Sequence, residues 1–257
     1  MTLSYRFANA LCLTLLTLLC ACSTDSARID SAQATPQALQ FELRAGQLLS
    51  IIEPYNNTSA EAKAAMKIYY AKALPLAAQF GYQNHGALRV VETVVGREQP
   101  SVFVVASWPD EAADLSFESQ PEWQQYKSMR PLIWDELRFY KAQAETAKTL
   151  RFRQDKHYTI AFAWHDVTAP NDYQTYLDGV MPAVETAGGR FIHTLRTPRF
   201  VSHATAQPGP SEINIVEWDT EDGLDLLQSS DLFTKHYNYL QSGTTRFDLY
   251  RIAPIIN

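Results

Sequence analysis

The chain has 257 residues, a formal net charge of −6 and an isoelectric point near 5.5. This acidic balance argues against nucleic-acid binding, which uses a basic surface, and against attachment to anionic lipid by charge alone. The three cysteines, Cys12, Cys20 and Cys22, all fall within the first 22 residues. The rest of the chain therefore has no disulfide, cysteine nucleophile or thiolate ligand, and its stability must come from apolar burial.

Residues 1–22 have the three parts of a bacterial export signal. A short basic start precedes an apolar run from Phe7 to Leu19, which is shorter than the about 20 residues that span a bilayer. The final Leu-Cys-Ala-Cys resembles the lipobox of bacterial lipoproteins, whose last cysteine is acylated and becomes the new N-terminus. The resemblance implies lipidation of Cys22, and acyl chains anchor a protein by about 0.8 kcal/mol per buried methylene. Ordinary signal cleavage after Ala21 is the alternative.

The residue after the cysteine indicates the compartment. In lipoproteins of Gram-negative bacteria an aspartate at this position resembles an inner-membrane retention mark, whereas this chain has Ser23. The resemblance therefore implies a lipid-anchored protein of the cell envelope, on the outer membrane and facing the periplasm, with the membrane as one partner. Residues 23–46 are small and polar, which predicts a flexible tether between the anchor and the folded part.

Two segments, residues 47–145 and 156–257, carry the same succession of patterns and are predicted to be two repeats of one unit. Each begins with an apolar strand-like run, followed by apolar residues at three- and four-residue steps, which indicate a half-buried helix. Two further strand-like runs, a second helix and a last strand opened by Arg-Phe complete each segment. In the second repeat the two middle strands are predicted at residues 199–206 and 212–218.

The first helix of each repeat carries the clearest match. Pro75 stands six residues before Gly81, and Pro182 stands six residues before Gly188. Proline removes a hydrogen bond inside a helix, and glycine suits the left-handed position just past a helix end. Because the same spacing occurs twice, we expect that the two repeats descend from one unit.

Each repeat has the order β-α-β-β-α-β, which forms a four-stranded antiparallel sheet with both helices on one face. The run 101–108 is apolar on both faces, with Val104 and Ala106 on one side and Phe103 and Val105 on the other. Such a strand needs cover on both sides. Since helices cover one face, the other repeat should cover the second. The predicted fold class is α+β, with two ferredoxin-like repeats packed as a dimeric α/β barrel within one chain.

Residues 176–185 (Tyr-Leu-Asp-Gly-Val-Met-Pro-Ala-Val-Glu) and the Gly-Gly-Arg-Phe at 188–191 resemble an uncharacterised family of the dimeric α/β-barrel superfamily. The resemblance covers about residues 158–252 and implies the fold, but no catalytic residues, because that family has no established activity. The chain departs from the family at 192–195, where Ile-His-Thr-Leu replaces a Gly-rich stretch. The wider superfamily includes cofactor-free monooxygenases and haem-degrading enzymes, and a shared fold is a weak argument for function.

Familiar catalytic motifs are missing from the sequence, which has no Gly-x-Gly-x-x-Gly, no phosphate-binding loop and no Gly-x-Ser-x-Gly. Its six histidines show neither His-x-x-x-His nor His-x-His spacing. With no cysteine after Cys22 to complete a site, we expect no metal and no cofactor. The sequence assigns no catalytic residue.

The second repeat is predicted to hold a ligand pocket between its sheet and its helices. The candidate lining residues are Tyr176, His193, Asn214, Trp218 and His236. Asn214 stands where the first repeat has the apolar Val104, and strand alternation puts it on the same face as Trp218. The same alternation assigns Glu217 to the interface between repeats. Core packing for the aromatic residues and surface positions for the histidines are the structural alternatives.

Two functions stay open from the sequence. The first is a cell-envelope lipoprotein whose tandem barrel binds a small apolar or aromatic ligand, or an envelope protein partner. The second is a cofactor-independent monooxygenase- or isomerase-type enzyme that uses the pocket of the second repeat. A buried histidine or glutamate with a strongly shifted pKa in that pocket would favour the enzyme. A filled core with an exposed apolar patch would favour a protein partner.

Overall fold

The computed structural model describes residues 37–256, which form eleven strands and seven helices. The strands are β1 (Ala38–Leu43), β2 (Leu48–Asn56), β3 (Gln83–Val95), β4 (Val102–Trp108), β5 (Trp134–Gln143), β6 (Lys148–Arg153), β7 (His157–His165), β8 (Gly189–Arg196), β9 (Arg199–Ser202), β10 (Glu212–Trp218) and β11 (Thr244–Ile255). The helices are α1 (Ala60–Gln79), α2 (Glu111–Glu118), α3 (Pro121–Lys127), α4 (Arg130–Ile133), α5 (Asp172–Thr186), α6 (Gly223–Gln228) and α7 (Asp231–Gly243). No helix within this range is both long and apolar enough to span a membrane.

The proline and glycine pairs lie where the sequence predicts them. Pro75 is inside α1 and Pro182 is inside α5. Gly81 and Gly188 follow the two helix ends with φ angles of 82° and 74°, in the left-handed region that side chains disfavour. The first helix of each half therefore ends in the same way, and the next strand begins directly after it.

Nine strands form one antiparallel sheet in the order β8-β10-β7-β11-β3-β4-β2-β5-β9. The first half (β2 to β5) and the second half (β7 to β11) contribute four neighbouring strands each, and the strand after the first helix lies outermost in both groups. The pairing of β11 with β3 joins the two groups. The short β9 of the second half pairs with β5 of the first. Backbone hydrogen bonds therefore link the halves at two seams.

The sheet closes on itself because its two outermost strands, β8 and β9, are consecutive in the chain. Thr197 lies between them with a φ of 45°, an uncommon and strained value for a β-branched residue. Its N–H donates to the carbonyl of Ser211 over 2.8 Å. At this point the chain leaves its pairing with β10 and crosses to β5. The strand predicted at 199–206 is thus wrong in extent. The strand that pairs with β10 is β8, which begins at Gly189 opposite Trp218, and only residues 199–202 of the predicted range are a strand.

Three clusters of buried side chains form the core. One lies on the inner face of the closed sheet and contains residues of both halves; the other two lie between the sheet and the helices of each half. On the inner face, the fully buried Phe103 of the first half has its ring centre 5.4 Å from that of Phe162 and 5.6 Å from that of Tyr250, both of the second half. Each half therefore covers the other's sheet.

Strand β1 corrects the predicted tether at residues 23–46, because residues 38–43 are part of the fold. It pairs antiparallel with β6, which lies in the stretch predicted as a connection between repeats. Phe41 and Leu43 of β1 and Leu150 and Phe152 of β6 are buried in the inner-face cluster. Burial of this alternating apolar face explains why the segment is ordered. Residues 23–36 of the tether and the signal with Cys22 lie outside the described residues.

We expect Phe103→Ala to lower the free energy of unfolding by about 3–5 kcal/mol, the usual cost of a large buried cavity. Since Phe103 contacts the other half, both halves should still unfold in one transition. Val91→Ala is the control: this residue of β3 is 56% exposed, and surface changes stay within about 0.5 kcal/mol. Denaturant titrations followed by tryptophan fluorescence and circular dichroism measure both. Two separate transitions in the native protein would contradict the shared core.

Candidate functional site

A cavity of about 660 Å³ lies between the sheet and the helices of the second half. Its walls come from α5, α6, α7 and the face of the sheet that points toward them, and most of the lining residues are apolar or aromatic. Representative lining residues are Tyr173, Tyr176, Val180, Leu224, Leu227, Phe233, Leu240, Val216 and Trp218. Tyr237 also lines it and is 42% exposed, so the cavity reaches the protein surface beside α7.

Asn214 is the centre of a hydrogen-bond network at the wall of this cavity and is 3% exposed. Its Nδ2 donates to the hydroxyl of Tyr173 over 3.2 Å and to Oε1 of Glu212 over 2.6 Å. Its Oδ1 accepts from the hydroxyl of Thr194 over 2.6 Å. Because Tyr173 is the acceptor of Asn214, its own hydroxyl proton is available for a ligand.

Two tyrosine hydroxyls of α5 supply the hydrogen-bond donors of the site. Tyr176 is 7% exposed, and its hydroxyl makes no hydrogen bond to another described residue. Burial raises the pKa of Tyr176 and of Tyr173, so both phenols keep their protons at neutral pH. Tyr176 is among the lining residues predicted from the sequence and Tyr173 is not, although a tyrosine three positions earlier lies on the same helical face.

Trp218 forms a flat wall of the cavity. Its Nε1 donates to the hydroxyl of Thr159 over 3.0 Å, so the indole is held in place by a neighbouring strand. The backbone at Gly189 approaches the ring so closely that a Cβ there would lie 2.6 Å from it. A side chain at Gly189 would therefore push the indole out of place.

His193 does not reach the cavity, contrary to the prediction. The pairing of β8 with β10 shifts between Ile215 and Val216, so Ile215 is opposite His193 and Val216 is opposite Phe191. Opposed residues share a face, and this bulge puts Phe191 in the cavity and His193 on the inner face of the barrel. There the Nδ1 of His193 lies 2.9 Å from Nζ of Lys148. Burial, and then the charge of Lys148, lower the pKa of His193 to about 4.

His236 also lies outside the cavity. Its Nδ1 is 2.9 Å from the carbonyl oxygen of Leu232, one turn earlier on α7. Its ring packs over Gly179 of α5, where a Cβ would lie 2.3 Å from the ring. Phe233 and Tyr237 of the same helix do line the cavity. The imidazole thus serves the contact between two helices, and Gly179 makes room for it.

Glu217 lies on the inner face of the barrel, on the opposite side of β10 from Asn214. It is 2% exposed, accepts a hydrogen bond from the hydroxyl of Tyr158 over 2.9 Å and pairs with Arg190. Both partners belong to the second half. Its charge is therefore neutralised within one half of the molecule.

The first half contains a cavity as well, of about 400 Å³, between its own helices and sheet. The sequence placed a ligand pocket only in the second half, and which of the two cavities binds a ligand stays a prediction. Val104, the counterpart of Asn214, lines this cavity as expected from the alignment of the two halves. The two cavities lie on equivalent faces and differ in their polar groups.

The second-half cavity is lined by neutral polar groups and one cation, Arg246, which pairs with Asp248 over 2.5 Å. Among the described residues, no aspartate, glutamate or histidine lines it. Residues 37–256 also contain no group of three or more histidine, cysteine, aspartate or glutamate side chains placed to hold a metal ion. Toward a ligand the arrangement presents aromatic surface and, from α5, two buried and protonated phenols.

Comparison with solved structures supports the fold. The chain is similar to an anthrone oxidase-like protein, with a TM-score of 0.52 and 10% identity over 83% of this chain and 94% of that one. Two further matches are a chlorite dismutase variant of Candidatus Nitrospira defluvii (TM-score 0.45, 9% identity, 82% and 92% covered) and a proposed monooxygenase of Lactobacillus acidophilus (TM-score 0.37, 8% identity, 81% and 96% covered). No family model and no curated protein matches the sequence. The chain therefore has a mixed α/β fold with antiparallel sheets, similar to that of dimeric α/β-barrel proteins, as the sequence predicts.

Asn214→Val should lower the free energy of unfolding by about 1–3 kcal/mol, because it leaves buried polar groups of Thr194, Glu212 and Tyr173 without their partner. Tyr176→Phe, at the same cavity, removes a hydroxyl without a protein partner and should change stability by less than about 0.5 kcal/mol. Urea titrations of both variants measure the difference. Equal stability of the two variants would show that the network contributes nothing to the fold.

Proposed function

We propose that the protein is a cell-envelope lipoprotein whose second-half cavity binds a flat, largely apolar small molecule carrying a hydrogen-bond acceptor oxygen. The observation behind this proposal is a pair of buried phenol donors, Tyr173 and Tyr176, in a cavity walled by aromatic and aliphatic side chains. Its volume of about 660 Å³ is that of a typical small-molecule site.

The ligand class follows from the lining of the cavity. The indole of Trp218 and the ring of Phe233 offer flat apolar surface. The ring centres of the two phenols are 6.2 Å apart and both phenols stay protonated, so the cavity offers two neighbouring donors for a carbonyl or phenolic oxygen. Asn214 holds the Tyr173 hydroxyl in place, which lowers the entropic cost of binding. A planar aromatic ketone or phenol has both features.

A cofactor-independent oxygenase is the second candidate. It is supported by the likeness in fold to an anthrone oxidase-like protein, because anthrone is itself a flat aromatic ketone. The phenol donors could hydrogen-bond to the ketone oxygen of such a substrate, and the overall reaction of one anthrone with one O2 gives one anthraquinone and one water. Consumption of O2 in the presence of anthrone, above the uncatalysed rate, separates this function from simple binding.

A duplication of one ferredoxin-like unit accounts best for the two cavities. The supporting observations are the equal spacing of Pro75 from Gly81 and of Pro182 from Gly188, and the equal strand order in both halves. The proposal implies that a single ancestral cavity became two, each free to change its polar groups.

The anchor proposal rests on residues 19–22. Cys22→Ala should abolish acylation and processing, because that sulfur carries the lipid. Cys20→Ala is the matched control, since it keeps a small residue at a position where lipoboxes accept one. Mass spectrometry of the membrane and soluble fractions of a Gram-negative host measures both variants. Acyl chains on the Cys22→Ala protein would contradict the assignment.

The ligand proposal can be tested with 9-fluorenone and with fluorene, which lacks the ketone oxygen. Fluorenone should bind more tightly than fluorene. Tyr176→Phe should lower the affinity for fluorenone by roughly 2- to 10-fold, the value of one hydrogen bond, and leave the affinity for fluorene unchanged. The indole N–H resonance of Trp218 reports occupancy of this cavity.

Tyr82→Phe provides the control, because Tyr82 lines the other cavity and its hydroxyl makes no hydrogen bond to another described residue. It should leave the response of Trp218 to fluorenone unchanged. If fluorene and fluorenone bind alike, and Tyr176→Phe affects neither, the phenols do not recognise an acceptor oxygen and the proposal is wrong.

A further inference from the structure

The first-half cavity is walled mainly by aromatic rings. Its lining includes Tyr69, Tyr82, Trp108, Trp123, Trp134 and Phe139. Tyr70 also lines it and is 44% exposed, so the cavity opens to solvent beside α1. A small molecule can therefore enter it from the surface.

Arg130 is the charged residue of this cavity and is only 6% exposed. Its guanidinium carbon lies 4.8 Å from the ring centre of Trp123 and 4.7 Å from that of Phe139, so the planar group is held between two aromatic rings. Its Nε donates to the hydroxyl of Tyr69 over 3.3 Å. These contacts fix the guanidinium and leave both terminal nitrogens without a hydrogen bond to a described residue.

Among residues 37–256, no carboxylate forms an ion pair with Arg130. Although burial opposes it, hydrogen bonds from Nζ of Lys127 (2.7 Å) and Nε1 of Trp123 (3.2 Å), and then the charge of Arg130, lower the pKa of Glu118. Glu118 is thus a nearby negative charge, but its Oε2 is engaged by those two donors and makes no direct pair with the guanidinium. A buried cation without a directly paired counterion is costly. Its position in an open cavity is explained if an anion from solution pairs with it.

The second half has the opposite arrangement. Leu240 is the counterpart of Arg130, because each lies 22 residues after the tryptophan of its half, Trp218 or Trp108. Leu240 lines the second-half cavity. Asn214, in turn, corresponds to the apolar Val104. At these two corresponding positions the first cavity therefore has a cation on its helix side and Val104 on its sheet, whereas the second has Leu240 on its helix side and the amide of Asn214 on its sheet.

We propose that the first-half cavity is a second binding site, for flat apolar carboxylates. The carboxylate pairs with the two terminal nitrogens of Arg130, whose fork geometry suits bidentate binding. The aromatic walls enclose the ring system of the ligand. This site is separate from the second-half cavity, and its ligand is distinguished by its negative charge.

The test compares 2-naphthoate with the neutral 2-naphthalenemethanol on the purified protein. The five tryptophans give five indole N–H resonances. Trp108, Trp123 and Trp134 line the first cavity, Trp218 lines the second, and Trp164 lines neither and is the reference. Naphthoate should shift resonances of the first group in a saturable way, with an affinity about 10-fold or more above that of the alcohol, as expected for a charge-assisted bond.

Arg130→Leu introduces the residue found at the corresponding position of the second half. It should lower the affinity for naphthoate by about 10-fold or more and leave the affinity for the alcohol unchanged. Arg130→Lys keeps the charge and should retain part of the preference. Tyr176→Phe in the other cavity is the matched control and should change neither ligand at the first site. Circular dichroism establishes that each variant is folded.

Three results would overturn the proposal: equal affinity for naphthoate and the alcohol, shifts at Trp218 in place of the first group, or unchanged naphthoate binding in folded Arg130→Leu. If Arg130→Leu does not fold, the comparison of the two ligands on the native protein still decides, because it requires no substitution. These readouts do not depend on fluorenone binding, so failure of the second-half proposal would leave them interpretable.

Discussion

Mutual coverage of the two halves is the constraint on which the rest of the structure depends. Strands such as β4 are apolar on both faces, and helices cover only one of them. The other face is buried only when eight strands and the short β9 close around a shared interior. The seam between β5 and β9 is reinforced by charge: Asp114 is fully buried and pairs with Lys141 of its own half and with Arg199, which β9 brings from the second half.

Closure of the barrel decides where ligands can bind. The interior is occupied by packed side chains, including the apolar face of the β1–β6 pair. Its polar groups satisfy one another, as Glu53 shows by accepting hydrogen bonds from Tyr140 over 2.5 Å and from Tyr55 over 2.6 Å. Burial raises the pKa of this carboxyl. Space for a ligand is left on the outer faces, where single layers of helices cover the sheet incompletely.

The two outer cavities show how one scaffold can present different chemistry. The strand and helix positions around them correspond, and the walls are aromatic in both. Two of their differences lie on opposite walls: the sheet has Asn214 in the second half and Val104 in the first, and the helix side has Leu240 in the second half and Arg130 in the first. A neutral acceptor oxygen suits the second-half cavity, and an anion suits the first-half cavity. We account for the two cavities in one chain by this difference.

The sequence by itself determined what local periodicity and backbone chemistry decide. Alternation placed Asn214 and Trp218 on one face of β10, and the proline and glycine spacings located the ends of α1 and α5. Only the tertiary structure decided the positions of His193 and His236. A bulge between strands reversed the face of His193, and His236 packs on Gly179 of another helix. Such features depend on contacts between segments far apart in the chain, which periodicity does not record. For the same reason the sequence did not predict that residues 38–43 form a strand, or that Arg130 lies buried without a direct ion pair. Both features result from the packing of distant strands and helices.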